Sequence, residues 1–239
     1  MKILAVGAHP DDLEIECYGT LAKYVKQGHE VYICVVSNGD LGHYEIMPEE
    51  LAKIRFEEGK AASQVIGAKD YVNLGGHDTM ISRYDKKLEY KLVDYIRKVC
   101  PDLILAQYPD DYMSDHIEAS ALTFNAAFNA TLPHLATPGN PMPKEVPSLM
   151  PIYHFAASSK AIFNPTEFVD ISDEIELKLQ AMRCHKSQLQ WLGEHDGVDT
   201  LSGIKAQDGA YGKLVGVKYA EGFVPCRHDS RMTVKRLLP

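Results

Sequence analysis

Residues 3 to 16 constrain the fold more than any other stretch of the chain. Ile3 to Ala8 is an uninterrupted apolar run, which reads as a strand buried on both faces of a sheet. It stops at His9-Pro10-Asp11-Asp12. Beyond that stop Leu13, Leu21, Tyr24 and Val25 recur at helical spacing until Gly28, a suitable helix C-cap. A buried strand therefore hands over to a helix through one imidazole and two carboxylates. In open α/β sheets ligands bind outside the carboxyl ends of the strands. A helix N-terminus also favours negative charge, which helps keep these aspartates ionised.

The remaining chain repeats the alternation. Glu30 to Val36 reads as a second strand emptying into Ser37-Asn38-Gly39-Asp40. Pro48 suits the first turn of a helix whose core face is Leu51, Ile54, Ala61, Ala62, Val65 and Ile66, with Gly67 as its stop. Arg55 and Glu58 lie three apart on it and can interact. Tyr71 to Leu74 is a short strand before Gly75-Gly76-His77-Asp78. Leu88 to Val99 reads as a helix ended by Pro101. Asp102 to Gln107 is another buried strand, feeding the loop from Tyr108 to His116 and then a helix from about Ile117 to Asn129. Such alternation predicts an α/β fold with parallel strands and right-handed crossovers. Both His/Asp clusters then fall at carboxyl ends of strands.

Residues 131 to 151 carry prolines at 133, 138, 141, 143, 147 and 151; loops of that length are usually functional or flexible. Strand-like segments resume at Ile152 to Ala156 and Phe168 to Ile171, so the 239 residues are expected to form one domain, 1–239. Ser172 is expected to cap a helix reaching about Trp191. Gly193 to Gly209 is expected to be a polar rim loop, followed by a short helix over Ala210 to Val215 and a last strand near Tyr219 to Val224.

A net charge of −8 argues against a nucleic-acid partner, which would need clustered Lys and Arg. Arg231, Lys235 and Arg236 are expected to be a solvated tail or a subunit contact. No run of about 18 apolar residues marks a membrane span. The chain enters a strand without the segments of a signal peptide. Its five cysteines are odd in number, scattered and without a Cys-x-x-Cys pair. The expectation is reduced thiols in a cytoplasmic protein.

His9 and Asp12 can point at one ion, with His116 arriving from the later loop. Two imidazoles, one carboxylate and open positions make a catalytic metal site, whereas a structural zinc site is closed by four protein ligands. Asp11, beside a ligand but facing elsewhere, is placed to act as general base on a metal-activated water. The same donor set is the facial triad of iron(II) oxygenases, so Fe²⁺ stands as the alternative to Zn²⁺. A nucleotide-cofactor oxidoreductase is disfavoured: the first strand exit has no Gly-x-Gly-x-x-Gly, and its carboxylates would repel a phosphate.

The stretch Ala8-His9-Pro10-Asp11-Asp12-x-Glu14-Ile15-x-Cys17-x-Gly19-Thr20 resembles the signature of the PIG-L/LmbE-like zinc-dependent N-deacetylases. Similar too are Gly28-His29-Glu30-Val31, Arg55-x-x-Glu58-x-x-Ala61-Ala62 and Ser114-Asp115-His116. His185-x-Ser187-Gln188, Tyr211-Gly212-Lys213 and Tyr219-Ala220-Glu221-Gly222-Phe223 follow the pattern as well, and the C-terminal segments are most similar to the bacillithiol-biosynthesis deacetylase type. The resemblance implies a Rossmann-like three-layer sandwich. It implies His9, Asp12 and His116 as ligands, Asp11 as base, Glu14 and Asp115 as supporting residues behind them, and Arg55 as a holder of the substrate's sugar or its appended acid. It implies a small-molecule N-acetylglucosamine conjugate as substrate and a homo-oligomer, with hexamers known among members.

One position departs from the pattern. The family's later motif is usually His-Pro-Asp-His; here it is Met113-Ser114-Asp115-His116. Methionine offers only a weak thioether acceptor, so it neither protonates a leaving amine nor stabilises an oxyanion. Asp115, which in relatives orients that first His, loses its evident partner. Either Asp11 carries the proton in both directions, or another group such as Tyr112, His43, His77 or His154 takes over. The alternative function is a metal- and sugar-binding protein with weak or lost deacetylation. Tyr112 and Trp191 are candidates for stacking on a sugar. Glu16 and Tyr18 stand where relatives often have glycine, and their bulk could narrow the pocket.

Overall fold

A computed structural model describes residues 1–140, 147–155, 163–228, 231–233 and 235–239. The apolar run at the N-terminus forms β1 (Lys2–Gly7), and β2 (Glu30–Ser37), β3 (Asp70–Gly76), β4 (Leu103–Ala106), β5 (Ile152–Phe155), β6 (Glu167–Asp170) and β7 (Ala220–Pro225) follow. They make one sheet in the order β3-β2-β1-β4-β5-β7-β6. β3 through β5 in that order are parallel, and β7 runs antiparallel to both of its neighbours. The strand order reverses between β1 and β4, which is where an open α/β sheet leaves a crevice.

Alternation along β1 divides the core. Ile3 and Ala5 point into one apolar cluster with Leu21, Val31, Ile33 and Leu179; Leu4 and Val6 point into the other with Leu92, Ile96, Leu122 and Ala126. Helices cover both faces, giving the expected three layers of an α/β sandwich.

The first helix is two helices, α1 (Asp12–Glu16) and α2 (Tyr18–Lys26), separated at Cys17 with φ −146° and ψ 9°. The break has a tertiary cause. The buried carboxylate of Glu221 on β7 accepts hydrogen bonds from the Gly19 and Thr20 amides at 2.9 and 2.7 Å, satisfying donors that open a helix. α3 (Pro48–Ile66) begins on its proline and ends at Gly67 with φ 77°, as its sequence indicates. In α4 (Lys86–Val99) the Asp85 side chain accepts from the Lys87 and Leu88 amides. α5 (Ser114–Asn129) starts earlier than expected, so His116 lies in its first turn rather than in the loop.

The expected helix from Ser172 to Trp191 is also two: α6 (Ile175–Met182) and α7 (Lys186–His195). Glu58 of α3 accepts from the Ser187 amide and hydroxyl at 2.9 and 2.6 Å, holding the new start of α7. Glu58 is therefore paired with Ser187, not with Arg55. The expected loop over Gly193 to Gly209 is mostly α8 (Thr200–Val215), with Asp199 accepting from the Ser202 amide. Its buried positions are Thr200, Ile204, Asp208 and Gly212. They keep helical spacing, but three of the four are not apolar, so hydrophobic periodicity was absent from the sequence. Arg231 is no solvated tail: it is buried, donates to the Met150 and Phe124 carbonyls, and lies over the Phe124 ring. Residues 141–146 of the proline-rich segment, and Ala156, lie outside the described residues. No described helix is long and apolar enough to cross a membrane.

Candidate metal centre

The chain leaves β1 at Gly7 and turns sharply. Asp11 adopts φ 115°, a left-handed conformation that a non-glycine residue holds only when its surroundings enforce it. Arg55 of α3 supplies the enforcement. Its guanidinium is buried and donates to the Pro10 carbonyl at 2.6 Å, to Asp11 Oδ1 at 3.1 Å and to the Gly39 carbonyl at 3.1 Å. The residue suggested as a substrate holder thus fixes the turn and the Asp11 carboxylate while also lining the cavity.

Across the crevice, α5 presents His116. Donor atoms of His9, Asp12 and His116 all lie within 4.8 Å of one another, and all three residues are buried. Asp12 sits between the rings, with Oδ1 3.4 Å from His116 Nε2 and Oδ2 3.7 Å from His9 Nδ1. Its Oδ2 also accepts from the His9 amide at 2.7 Å and from Gln107 Nε2 at 2.6 Å.

Each ring is backed by acids on its far side. His9 Nε2 lies 3.1 Å from Asp115 Oδ2 and 3.0 Å from Asp78 Oδ1. His116 Nδ1 lies 3.0 Å from Asp111 Oδ2. Carboxylates on the outer nitrogen fix the tautomer of a ligating histidine and raise its basicity. Asp115 has not lost its partner. Besides His9 it accepts from the Thr79 and Ile81 amides at 2.7 and 3.3 Å, and so ties the loop after β3 to the first helix turn of α5. Glu14 takes a different place. Its Oε1 lies 3.0 Å from Nε2 of the fully buried His185, and none of its described hydrogen bonds or ion pairs is to His9, Asp12 or His116.

The charges follow from this packing. Burial lowers the pKa of His9, but Asp115, Asp12 and Asp78 together hold it well above the usual histidine range. Burial likewise opposes a charge on His116, yet Asp12 and Asp111 hold it up at about 10. Asp12 is held well below the ordinary carboxylate range because the charged His116 and His9 outweigh its burial. Asp11 is pushed up to about 6, chiefly by burial and against the pull of Arg55. His185 is raised as well, with Glu14 and Asp11 overcoming burial. The cluster thus gathers positive charge among buried acids. Two imidazoles and a carboxylate that converge in such a field fit one divalent cation.

A cavity of about 440 Å³ opens onto these groups, lined by His9, Asp11, Asp12, Arg55, Asp78 and His116 together with Tyr112, Met113, Gln188 and Trp191. Of the four groups suggested as substitutes for the missing histidine, Tyr112 alone lines this cavity, at its exposed rim. His154 Nδ1 is bonded to the Gln107 carbonyl at 2.7 Å, His77 is paired with Asp40, and His43 accepts from the Glu45 and Ile46 amides. Trp191 stacks on His195 at 4.3 Å and meets the edge of Tyr44 at 4.7 Å. Its stacking surface is thus partly taken by protein. Sequence reasoning did not single out Asp78, Asp111 or Gln107. Each lies in or beside a strand-exit loop, and Asp111 stands five residues before His116 in a loop already rich in acids.

A crevice at the strand reversal, holding a His-Asp-His group beside a further aspartate, makes a candidate metal site on an α/β sheet. A family model described as PIG-L, GlcNAc-PI de-N-acetylase, matches residues 4–127, a span that contains His9, Asp11, Asp12, Arg55 and His116. The chain belongs to the PIG-L family. It is 32% identical over 236 residues to the diacetylchitobiose deacetylase of Thermococcus kodakarensis, covering 94% of this chain and 83% of that one. It is 30% identical over 226 residues to a Bacillus cereus protein described as "Probable N-acetyl-alpha-D-glucosaminyl L-malate deacetylase 2", covering 87% and 91%. Among solved structures, the N,N'-diacetylchitobiose deacetylase of Pyrococcus horikoshii superposes with a TM-score of 0.78 at 27% identity, over 94% of this chain and 83% of that one.

Proposed function

We propose that this chain is a metal-dependent hydrolase that removes the acetyl group from an N-acetylglucosamine-type sugar conjugate, with Asp11 as general base. The observation that carries this reading is the convergence of His9, Asp12 and His116 within 4.8 Å on a cavity that Asp11 also lines. The relatives' names supply the substrate class, and the alignments cover 83% and 91% of those two relatives.

His9, Asp12 and His116 would hold Zn²⁺, with Fe²⁺ as the alternative. A bound Zn²⁺ acts as a Lewis acid towards a carbonyl oxygen and brings the pKa of its water to about 7. Asp11 takes the proton from the attacking water, held in place by Arg55. The amide C–N bond then breaks, and Asp11 returns the proton to the nitrogen that leaves. This double duty follows from Met113, which lines the cavity and has no proton to give. Arg55 and Tyr112 flank the space left for the sugar. Asp78, Asp111 and Asp115 keep the two imidazoles aimed, as outer carboxylates do in other metal sites.

The test is acetate release from diacetylchitobiose and from N-acetylglucosaminyl malate by the metal-loaded full chain, with Asp11→Asn beside it. The variant is expected to lose at least about 100-fold in kcat, the usual scale for a general base, while keeping its metal. Near wild-type turnover by Asp11→Asn contradicts the assignment of the base. Saturable sugar binding by a metal-loaded wild type that releases no acetate supports the binding-protein reading that Met113 raises.

A further inference from the structure

The metal centre faces two chambers, and only one suits a sugar. The 440 Å³ cavity is rich in polar groups: Asp11, Arg55, Asp78, Thr79, Gln188 and Asp196 all line it. A second cavity of about 280 Å³ shares Asp12, Ile15, His116 and Leu192 with the first and continues under α8. Asp11 does not line it. Its apolar lining is Ile15, Leu192, Val198 and Ile204, and Glu16, Gln107, Thr200 and Gln207 border it as well. The polar ends that border it are mostly engaged with one another: Gln207 Nε2 bonds Glu16 Oε2 at 2.8 Å, and Gln107 Nε2 bonds Asp12 Oδ2 at 2.6 Å. Thr200 contributes a buried hydroxyl with no hydrogen-bond partner among the described residues.

A sugar driven into such a space would leave its hydroxyls unpaired, which is costly. An alkyl chain would not. A water molecule's share of liquid volume is about 30 Å³, so the methyl of an acetyl group would occupy a small corner of this cavity. We infer that the second chamber receives the acyl side of the substrate, and that the chain hydrolyses N-acyl glucosamines with acyl groups of about four to six carbons as well as N-acetyl. This rests on the deacylase reading above. The reaction balances as for acetyl: water's oxygen bonds to the acyl carbon, the C–N bond breaks with its electrons going to nitrogen, and nitrogen takes a proton. The products are the fatty acid and the free amine.

Burying a methylene is worth about fourfold in affinity, so four additional methylenes in the chamber should show clearly. Gly203 of α8 is an exposed position that borders the cavity, and a Cβ added there meets no heavy atom within 4 Å. Gly203→Phe therefore places bulk at the edge of the chamber with no clash at its Cβ.

Two measurements test the inference. The first is amine release by the zinc-loaded full chain from N-acetyl-, N-butyryl- and N-hexanoylglucosamine. We expect kcat/KM for the hexanoyl compound to be at least equal to that for acetyl, and the hexanoyl-to-acetyl ratio to fall tenfold or more in Gly203→Phe. Acetyl turnover with a hexanoyl rate below about one hundredth of it would overturn the inference and leave the deacetylase reading standing. The second is calorimetric binding to zinc-loaded Asp11→Asn, which reads the chamber without turnover. N-hexanoylglucosamine should bind at least tenfold more tightly than N-acetylglucosamine, and this advantage should shrink in Asp11→Asn combined with Gly203→Phe. Equal affinities would overturn the inference whatever the turnover. So would a gain found only for hexyl N-acetylglucosaminide, because the alkyl group would then belong to the aglycone.

Discussion

At the scale of single residues, the site depends on one strained turn and one guanidinium. Asp11 holds φ 115° because Arg55 bonds the carbonyl before it, its own carboxylate and Gly39 at once. Gly39 has φ +67°, and a Cβ there would lie 2.5 Å from Arg55 Nη1. Gly39→Ala is therefore expected to displace the guanidinium and, with it, Asp11. We expect a stability loss of about 1–3 kcal/mol and a fall in kcat of about 10- to 100-fold, because small misplacements of a catalytic group are expensive. Metal content should not change. A Gly39→Ala protein with wild-type kcat contradicts this account of Arg55. The residues of the first turn were readable in the sequence because strand, stop and acids are contiguous there. Asp78 and Asp111 were not, because what marks them is a distance to a ring from another strand exit. Asp115 was noticed for a partner it lacks, and its actual partner, His9, lies 106 residues away.

At the scale of elements, a buried ionic cluster binds the C-terminal third of the chain to the site. Lys178 Nζ on α6 lies 2.7 Å from Asp208 Oδ2 on α8 and 2.7 Å from Glu221 Oε1 on β7, while Glu221 also caps α2. One cation faces two carboxylates. Burial, aided by the charges of Glu221 and Glu16, lifts Asp208 to about 7 against the attraction of Lys178. An aspartate in the unfolded chain titrates near about 3.9, so the folded state holds an extra proton between the two values. The stabilisation from this group is full below the unfolded value and is lost as pH rises through about 7. Wild-type Tm is expected to fall between pH 5 and pH 8. Asp208→Asn, which still accepts from Lys178 but cannot ionise, should give a flatter profile. A wild-type profile as flat as that of the variant contradicts the raised titration of Asp208. The same cluster explains why sequence reading failed here. α8 buries an aspartate, a threonine and a glycine where an apolar stripe would be sought, and α2 starts where a distant glutamate caps it. Elements whose ends carry local signals, such as Pro48 and Gly67 of α3, were placed correctly from sequence.

At the scale of the whole molecule, strand order does the assembling. β1 and β4 are neighbours in the sheet although separated by some hundred residues, and the order reverses between them. That reversal brings His9 and Asp12 from one strand exit against His116 from the other. Parallel alternation was sufficient to expect both clusters at one sheet edge. It did not indicate the antiparallel placement of β7, which brings Glu221 beneath α2, nor the second chamber beneath α8. The central claim is that these two exits jointly hold one catalytic metal ion. It is tested most directly by elemental analysis of the full chain and of His116→Ala, with acetate release followed through chelation and zinc readdition. The account predicts about one metal ion per wild-type chain, little in His116→Ala, and activity that disappears on chelation and returns with zinc. Equal metal in the two proteins, or undiminished acetate release from the chelated wild type, would contradict it.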